Sequence, residues 1–295
     1  MTNIPAPPSK VIYDFGANNG DDLPYYLQKG DRVVAVEANP LLASEIEQRF
    51  AREIAERRLL VENCVVTDED AAENVPFYLH KYNFQLSQFP RPTKSNIANF
   101  QEVLLPSKSV SNLVATHGDP FYIKIDLEHY DEVILRRLFQ QNIRPPFISV
   151  ESHSIEVFCT LVSLGKYNSF NIVDGNSVAE RYKCRTINSN VGQTAYSFPH
   201  RSSGPFGDDI DGPWWTASQF FYLLAFERLG WKDIHATSVI SPDPKALPRF
   251  GTRAELQRAV KKRVTTLVNT ITPKPELALT KKLRRVFSRS TNRLS

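Results

Sequence analysis

The chain has 295 residues, of which 41% are hydrophobic and 23% charged, a composition typical of soluble globular proteins. It has no apolar run of the roughly 18–20 residues that a membrane span needs, and its N-terminus lacks the apolar segment of a signal peptide. Its three cysteines, Cys64, Cys159 and Cys184, are widely spaced and form no C-x-x-C pair. We therefore expect a cytoplasmic protein with reduced thiols.

The net charge of +4 is unevenly distributed along the chain. Residues 249–295 hold 13 Lys or Arg against two acids and carry +11, which leaves about −7 for residues 1–248. Residues 253–267 and 277–286 of this basic tail have amphipathic patterns, which favour contact with an anionic membrane surface, at the inner face of the membrane. A disordered, solubilising tail is the alternative. RNA is a competing polyanion, but we expect no specific nucleic-acid partner.

Strand and helix patterns alternate along the first 175 residues. In chain order they predict strand 11–15, helix 23–29, strand 32–36, helix 41–57 opened by Pro40, strand 59–66, short strands 75–79 and 103–105, helix 109–116, strand 121–127, helix 131–140, strand 147–150, helix 155–164 and strand 170–173. The alternation predicts an α/β, Rossmann-like fold with a central, mostly parallel sheet and helices on both faces. Ligands of such folds bind beyond the carboxyl ends of the strands. An irregular segment at 200–215 and an apolar helix at 217–229 follow.

Residues 14–21 (DFGANNGD) directly follow the first strand. Gly16 and Gly20 let the backbone turn sharply and let a ligand approach it closely. Asn18 stands where a dinucleotide enzyme needs its second glycine to reach a pyrophosphate. This disfavours a nicotinamide-dependent oxidoreductase and favours S-adenosylmethionine, which has no phosphate and whose positive charge suits Asp14. A plain strand-to-helix turn is the structural alternative.

Glu37 ends the second strand, 21 residues after Gly16. An acid at this place can accept hydrogen bonds from both ribose hydroxyls of a nucleoside, although a solvated acid at a strand end is the alternative. The glycine loop and this acid, in this order and spacing, together predict a nucleoside-binding site.

Charged residues also follow the two strands at 121–127 and 147–150. Lys124, Asp126 and Glu128 alternate with apolar residues, so we expect them on one face near a strand end, where buried charges need partners or ligands. Glu151 and His153 leave the next strand on one side, and His153 has the pKa range of a general base. A salt-bridged strand end and a packing histidine are the structural alternatives.

These motifs in this order resemble the FkbM family of methyltransferases over residues 11–174. The matching segments are DFGANNGD (14–21), VVAVEANP (33–40), FYIKIDLEHYDEVIL (121–135) and ISVESH (148–153). The resemblance implies a class I methyltransferase fold, S-adenosylmethionine as the cofactor, and O-methylation of sugars, glycans or hydroxyls on secondary metabolites.

The resemblance also assigns site residues. It implies that the cofactor is bound by Asp14, Gly16, Asn18 and Gly20 in the loop, by Glu37 and Asn39 after the second strand, and by Asp126 and Glu128 of the family's D-x-E. The family commonly has glycine after this glutamate, where the chain has His129. The bulkier side chain narrows the approach there or adds a polar contact.

These patterns predict that the chain has three parts. Residues 1–10 form an N-terminal extension, residues 11–240 the methyltransferase domain, and residues 241–295 a proline-containing linker with a helical or disordered basic tail. Within the domain we expect an FkbM-like core at 11–175 and acceptor-side loops at 176–240. Aromatic and aspartate side chains at 201–215, and polar ones at 83–92, suit a sugar-like acceptor, although 201–215 also fits a structured surface loop.

The expected reaction is in-line methyl transfer to a hydroxyl, whose proton passes to a base. The candidates, in order, are His153, Glu151, Asp126 and His129. A divalent metal on Asp126, Glu151 and His153 is an alternative, but the chain lacks a compact ligand motif and we predict no metal. A non-catalytic glycan-binding protein with a relict cofactor fold is a further alternative, which the presence of all the cofactor acids disfavours.

Overall fold

The computed structural model describes residues 9–70, 73–227 and 230–246. Its regular elements, in chain order, are β1 (Val11–Phe15), α1 (Leu23–Lys29), β2 (Arg32–Val36), α2 (Pro40–Arg49), α3 (Ala51–Ala55), β3 (Leu59–Glu62), β4 (Val65–Thr67), β5 (Asn74–His80), β6 (Phe100–Ser109), α4 (Val110–His117), β7 (Pro120–Ile125), α5 (Asp131–Gln140), β8 (Phe147–Ser152), α6 (Ile155–Ser163), β9 (Ser169–Asp174), α7 (Val178–Arg181), β10 (Arg185–Ser189), β11 (Gly192–Tyr196), α8 (Ala217–Glu227) and β12 (Gly230–Thr237).

A seven-stranded sheet forms the centre, in the order β3-β2-β1-β7-β8-β12-β9. The first five strands pair in parallel, while β12 runs antiparallel to both of its neighbours. The predicted α/β fold with a mostly parallel sheet is therefore confirmed. Because β1, β2, β7 and β8 are parallel, their carboxyl ends meet at one edge, and this edge carries the segments singled out above.

The strands are apolar because two hydrophobic layers cover the sheet. One layer includes Phe15, Ile125 and Val150, and the other includes Ile12, Ala35 and Tyr122, all nearly inaccessible to solvent. Alternate residues of β1 thus enter opposite layers, as the pleat of a strand requires. Both faces of the sheet are buried, and this fixes its register and the positions of the strand ends.

Two predicted elements are broken in the structure. The helix expected at 41–57 is divided at Phe50, which leaves helical geometry and turns its ring into the core beside Gly20. The strand expected at 59–66 is divided where the N–H of Cys64 bonds the carbonyl of Glu62 and turns the chain. Its second part, β4, then joins β6 and β5 in a small separate sheet. The predicted strands at 75–79 and 103–105 are the antiparallel pair in this sheet.

The irregular segment 200–215 is anchored inside the domain. Phe206 stacks on Tyr122, with ring centroids 3.8 Å apart, and Trp214 is buried. Asp209 forms a 2.7 Å ion pair with Lys29, and Asp211 pairs with Arg185. These contacts fit the interpretation of a structured, core-packed loop, and a role of this segment in acceptor binding stays a prediction.

Several sequence expectations fall outside the described residues. They are residues 1–8 of the N-terminal extension, residues 228–229 of the helix predicted at 217–229, and the tail from residue 247 with its amphipathic segments 253–267 and 277–286. Among the described helices, none has the length and apolar character needed to cross a bilayer.

Candidate active site

A cavity of about 700 Å³ opens beyond the carboxyl ends of β1, β2, β7 and β8. This volume lies within the range of about 300–1,000 Å³ that small-molecule sites occupy. The predicted site residues on its wall are Gly16, Asn18, Glu37, Asp126, Glu128, Glu151 and His153. The topology therefore brings together side chains that are up to 137 positions apart in the sequence.

Gly16 sets the shape of the first loop. Its φ is +84°, and a Cβ at this position would lie 1.9 Å from the carbonyl oxygen of Asp126. The loop after β1 therefore lies directly against the end of β7, which is the close approach that requires glycine. The N–H groups of Gly16 and Ala17 both bond the carbonyl of Val36 and tie the loop to the end of β2.

Glu37 is held at the lip of the cavity by backbone hydrogen bonds. Its Oε2 accepts from the N–H of Asn18 and its Oε1 from the N–H of Asn39, both at 2.8 Å. Burial raises the pKa of Glu37 to about 7, while the two backbone donors oppose the rise. Each carboxylate oxygen has a second acceptor position, so the oriented group can still bind a pair of hydroxyls.

Three other predicted cofactor residues are not on the cavity wall. Gly20 has φ +77° and packs against Leu23 and Ile46. Asn39 caps α2 by accepting from the N–H of Leu41. Asp14 is buried in β1, and burial raises its pKa to about 7. The structure thus places these residues where they support the loop, and their contact with the cofactor stays a prediction.

Lys124 lies on the cavity wall between two carboxylates. Its Nζ is 3.1 Å from Oδ2 of Asp126 and 3.8 Å from Oδ1 of Asp14. Burial alone would lower the pKa of Lys124, but the carboxylates of Asp126, Asp14 and Asp233 raise it well above its usual value. Burial likewise opposes ionisation of Asp126, yet Lys124 lowers the pKa of that carboxyl. Asp126 is therefore an anion paired with Lys124.

The expectation that Lys124, Asp126 and Glu128 share a strand face does not hold in full. Strand β7 ends at Ile125, and Glu128 and His129 have φ values of +46° and +73°. The backbone therefore turns after Asp126 and carries Glu128 toward the end of β8.

There, Glu128, Glu151 and His153 form one cluster. His153 Nε2 lies 2.8 Å from Oε2 of Glu151 and 3.8 Å from Oε2 of Glu128. Burial raises the pKa of Glu151 to about 8 and that of Glu128 to about 7. Burial alone would lower the pKa of His153, but Glu151 and other nearby acids raise it to about 9. In this environment the imidazole keeps its proton at neutral pH, so the proton acceptor of the pair is Glu151 in its ionised form, which becomes more populated as the pH rises toward 8.

His129, the fourth candidate base, is outside the cavity wall. Its ring centroid is 4.8 Å from that of His153. Burial and then the charge of His153 lower the pKa of His129. This ring packs against His153 and helps fix its orientation.

Some residues of the cavity wall were not predicted from the sequence. Asp22 accepts hydrogen bonds from the Ser202 hydroxyl and the Ser203 N–H, which joins the segment 200–215 to α1. Cys64, Val65 and Val66 line an apolar side of the cavity. The segment 83–92 does reach the cavity, through residues that include Gln85 and Ser87. Contacts that join distant parts of the chain leave no local pattern in a sequence, so only the last segment was foreseeable.

A family model described as "Methyltransferase FkbM domain" matches residues 14–173, more than half of the chain. The chain belongs to the FkbM methyltransferase family. Its matched part contains the glycine loop, Glu37, Asp126, Glu128, Glu151 and His153.

The chain also has partial similarity to curated proteins and to solved structures. The chain is 24% identical to a dimethyladenosine transferase of Yarrowia lipolytica over 160 residues, or 51% of this chain and 49% of that protein. The dimethyladenosine transferase of Candida glabrata is 26% identical over 160 residues, again 51% of this chain and 49% of that protein. The chain spans about half the length of these curated relatives. Among solved structures, methyltransferase FkbM from Methylobacillus flagellatus is 13% identical with a TM-score of 0.39, covering 56% of this chain and 40% of that one. An S-adenosylmethionine-dependent O-methyltransferase from Thermotoga maritima is 11% identical with a TM-score of 0.32, covering 80% and 61%.

The cofactor of this FkbM domain is S-adenosylmethionine, and the cavity fits it. Gly16 leaves a cradle that a Cβ would fill, and Glu37 presents an oriented carboxylate that could accept hydrogen bonds from two hydroxyls, as predicted for a ribose. The anionic residues Asp21, Asp22 and Asp126 on the wall suit a ligand with a sulfonium and an ammonium group.

Proposed function

We propose that the protein transfers a methyl group from S-adenosylmethionine to a hydroxyl oxygen of a sugar, a glycan or a secondary metabolite. The observation that carries this proposal is the position of Glu128, Glu151 and His153. They lie in the same cavity as the glycine loop and Glu37, but on its β7–β8 side. A hydroxyl between the cofactor and this cluster would have a proton acceptor within reach.

The residues of the site have different roles in this reaction. Gly16 and Glu37 hold the nucleoside, and Asp126, fixed by Lys124, borders the transfer site. When bound, the cofactor supplies a methyl group on a positively charged sulfur. The hydroxyl oxygen would form the new bond to this methyl carbon while sulfur keeps the electron pair of the broken C–S bond, and Glu151 would take up the hydroxyl proton. His153, 2.8 Å from Glu151, orients this carboxylate.

The matched curated relatives, named dimethyladenosine transferases, raise adenosine as a competing acceptor. The wall holds the acids Asp21, Asp22 and Asp126 against two bases, Lys124 and Arg201, and this excess of negative charge would repel a nucleic-acid backbone. A neutral, hydroxyl-bearing acceptor meets no such repulsion.

The test is a transfer screen with radiolabelled S-adenosylmethionine and the full chain. Its acceptors are nucleotide sugars, lipid-linked glycans, polyketide-like alcohols and an adenosine-containing RNA. We expect label on a hydroxyl acceptor, at least a hundredfold less with Glu151→Gln, and wild-type activity with Glu47→Gln, an exposed acid on α2. Label on RNA alone would contradict the proposal.

We also propose that the basic tail, residues 249–295, binds an anionic membrane surface. Its charge of +11 supports this, since each Lys or Arg near such a surface contributes about 1 kcal/mol. We expect the full chain to sediment with anionic but not with neutral vesicles, and less so in high salt. Equal sedimentation of wild type and of K261E/K262E/R263E would contradict this proposal.

A further inference from the structure

We propose that Glu128, Glu151 and His153 bind a divalent metal cation that holds the acceptor. One ligand atom of each residue lies within 4.8 Å of the other two. The separations of His153 Nε2 from the two glutamate oxygens are 2.8 and 3.8 Å. Ligands about 2.0–2.2 Å from a metal ion stand roughly 3 to 3.5 Å apart, so a small closing movement gives a three-ligand site.

The direction of the His153 ring supports this assignment. Nε2 is shielded from solvent and lies 2.8 Å from Glu151, yet it makes no hydrogen bond of normal geometry. The in-plane direction of the nitrogen therefore misses that oxygen. A metal ion would take the place of the proton on this nitrogen, as imidazole and carboxylate together suit divalent transition cations.

The backbone holds the three ligands at one place. Strands β7 and β8 are adjacent and parallel, with Ile125 beside Val150. Glu151 is also paired across to β12, through Asp233. The N–H of His153 bonds the carbonyl of Glu151 in a tight turn, which brings both side chains to the same edge. Glu151 therefore lies on a rigid strand, and His153 and Glu128 lie within three residues of the ends of β8 and β7.

The two glutamates of the cluster have few charged partners. Glu151 is buried and Glu128 half-buried, and among the described residues their only ion-pair partner is the one imidazole of His153. The nearest buried lysine, Lys124, already contacts Asp14 and Asp126. Buried carboxylates are normally paired or coordinate metals.

The substrate class follows from the number of ligands. Three protein ligands leave coordination positions open to the cavity, as in catalytic metal sites. An acceptor with two neighbouring oxygens, such as a vicinal diol or an α-hydroxy carbonyl compound, would fill two of them. The bound hydroxyl would then ionise more easily, because the cation stabilises the alkoxide. This inference rests on the proposed transfer to a hydroxyl and names the acceptor's chemistry.

The experiment is a Mn²⁺ titration of the metal-free full chain, followed by electron paramagnetic resonance. We expect one site per chain, with a Kd at least tenfold higher in Glu128→Gln and in His153→Ala. The matched controls are Glu47→Gln and His200→Ala, which change exposed residues that are not on the cavity wall and should leave the Kd unchanged. Thermal unfolding of each variant shows whether it is folded. Absence of a site, or equal Kd values in folded Glu128→Gln and wild type, would overturn the inference.

A second measurement separates this inference from the proposed function. Hydroxyl methylation at the full rate in excess chelator would overturn the metal site and leave the proposed function standing. A Mn²⁺ site that depends on Glu128, found in a protein that methylates no hydroxyl in the screen, would support the site and contradict the proposed function.

Discussion

Replacement of Glu37 by glutamine tests the cofactor site most quantitatively. The substitution keeps the volume of the side chain but removes its charge and converts one acceptor oxygen to a donor. In the structure both oxygens accept backbone N–H groups, from Asn18 and Asn39. One of these N–H groups would therefore face an amide NH₂ group instead of an acceptor.

The expected loss of binding free energy for the cofactor can be estimated. Hydrogen bonds to a charged group contribute about 1.5–3 kcal/mol and neutral ones about 0.5–1.5 kcal/mol, so two ribose hydroxyls would each lose about 1 kcal/mol. A total of about 2 kcal/mol corresponds to a roughly 30-fold higher Kd. Calorimetry with S-adenosylhomocysteine measures it, with Glu47→Gln as the control. A Kd within threefold of the wild-type value in folded Glu37→Gln would refute the role of this carboxylate.

Three further predictions concern stability, each measured by urea unfolding. Gly16→Ala should lower the free energy of unfolding by at least about 2 kcal/mol, since φ is +84° and its Cβ would clash with Asp126; an unchanged midpoint would contradict this. Asp209→Asn should cost about 3–5 kcal/mol by leaving buried Lys29 unpaired, whereas Glu56→Gln, in an exposed pair, should change stability far less; equal effects would be inconsistent with this account. Burial lowers the pKa of His235 to about 3, so the unfolded state binds the extra proton and stability falls as the pH drops from 6.5 toward 3. His235→Leu should remove a slope of about 1.4 kcal/mol per pH unit in that range, and parallel pH profiles of variant and wild type would argue against it.

The alternation of apolar and polar segments predicted most of the central sheet, because strands buried on both faces carry continuous apolar runs. Strand β12 escaped prediction since its sequence, GWKDIHAT, places Asp233 and His235 in the core. A pattern of buried polar residues does not resemble a strand of a parallel sheet. The break at Phe50 was equally invisible, because it depends on the ring's contact with Gly20.

The residues of the candidate site were also predictable only in part. Gly16 and Glu37 were predictable because each follows a strand at a characteristic spacing, and both line the cavity. The contact of His153 with Glu128 was only partly predictable. Strand alternation grouped Glu128 with Asp126, but the left-handed backbone at Glu128 carries it to His153. Local dihedral angles of this kind arise from tertiary contacts and are not encoded in the alternation.

The most direct test of the central claim is the identity of the atom that receives the methyl group. The full chain would be incubated with S-adenosylmethionine labelled with ¹³C in its methyl group and with the acceptor found in the screen, and the product analysed by NMR. We predict that the labelled carbon is bonded to an oxygen that was a hydroxyl. A label on nitrogen or carbon, or no transfer to any hydroxyl acceptor by protein that binds the cofactor, would contradict the account.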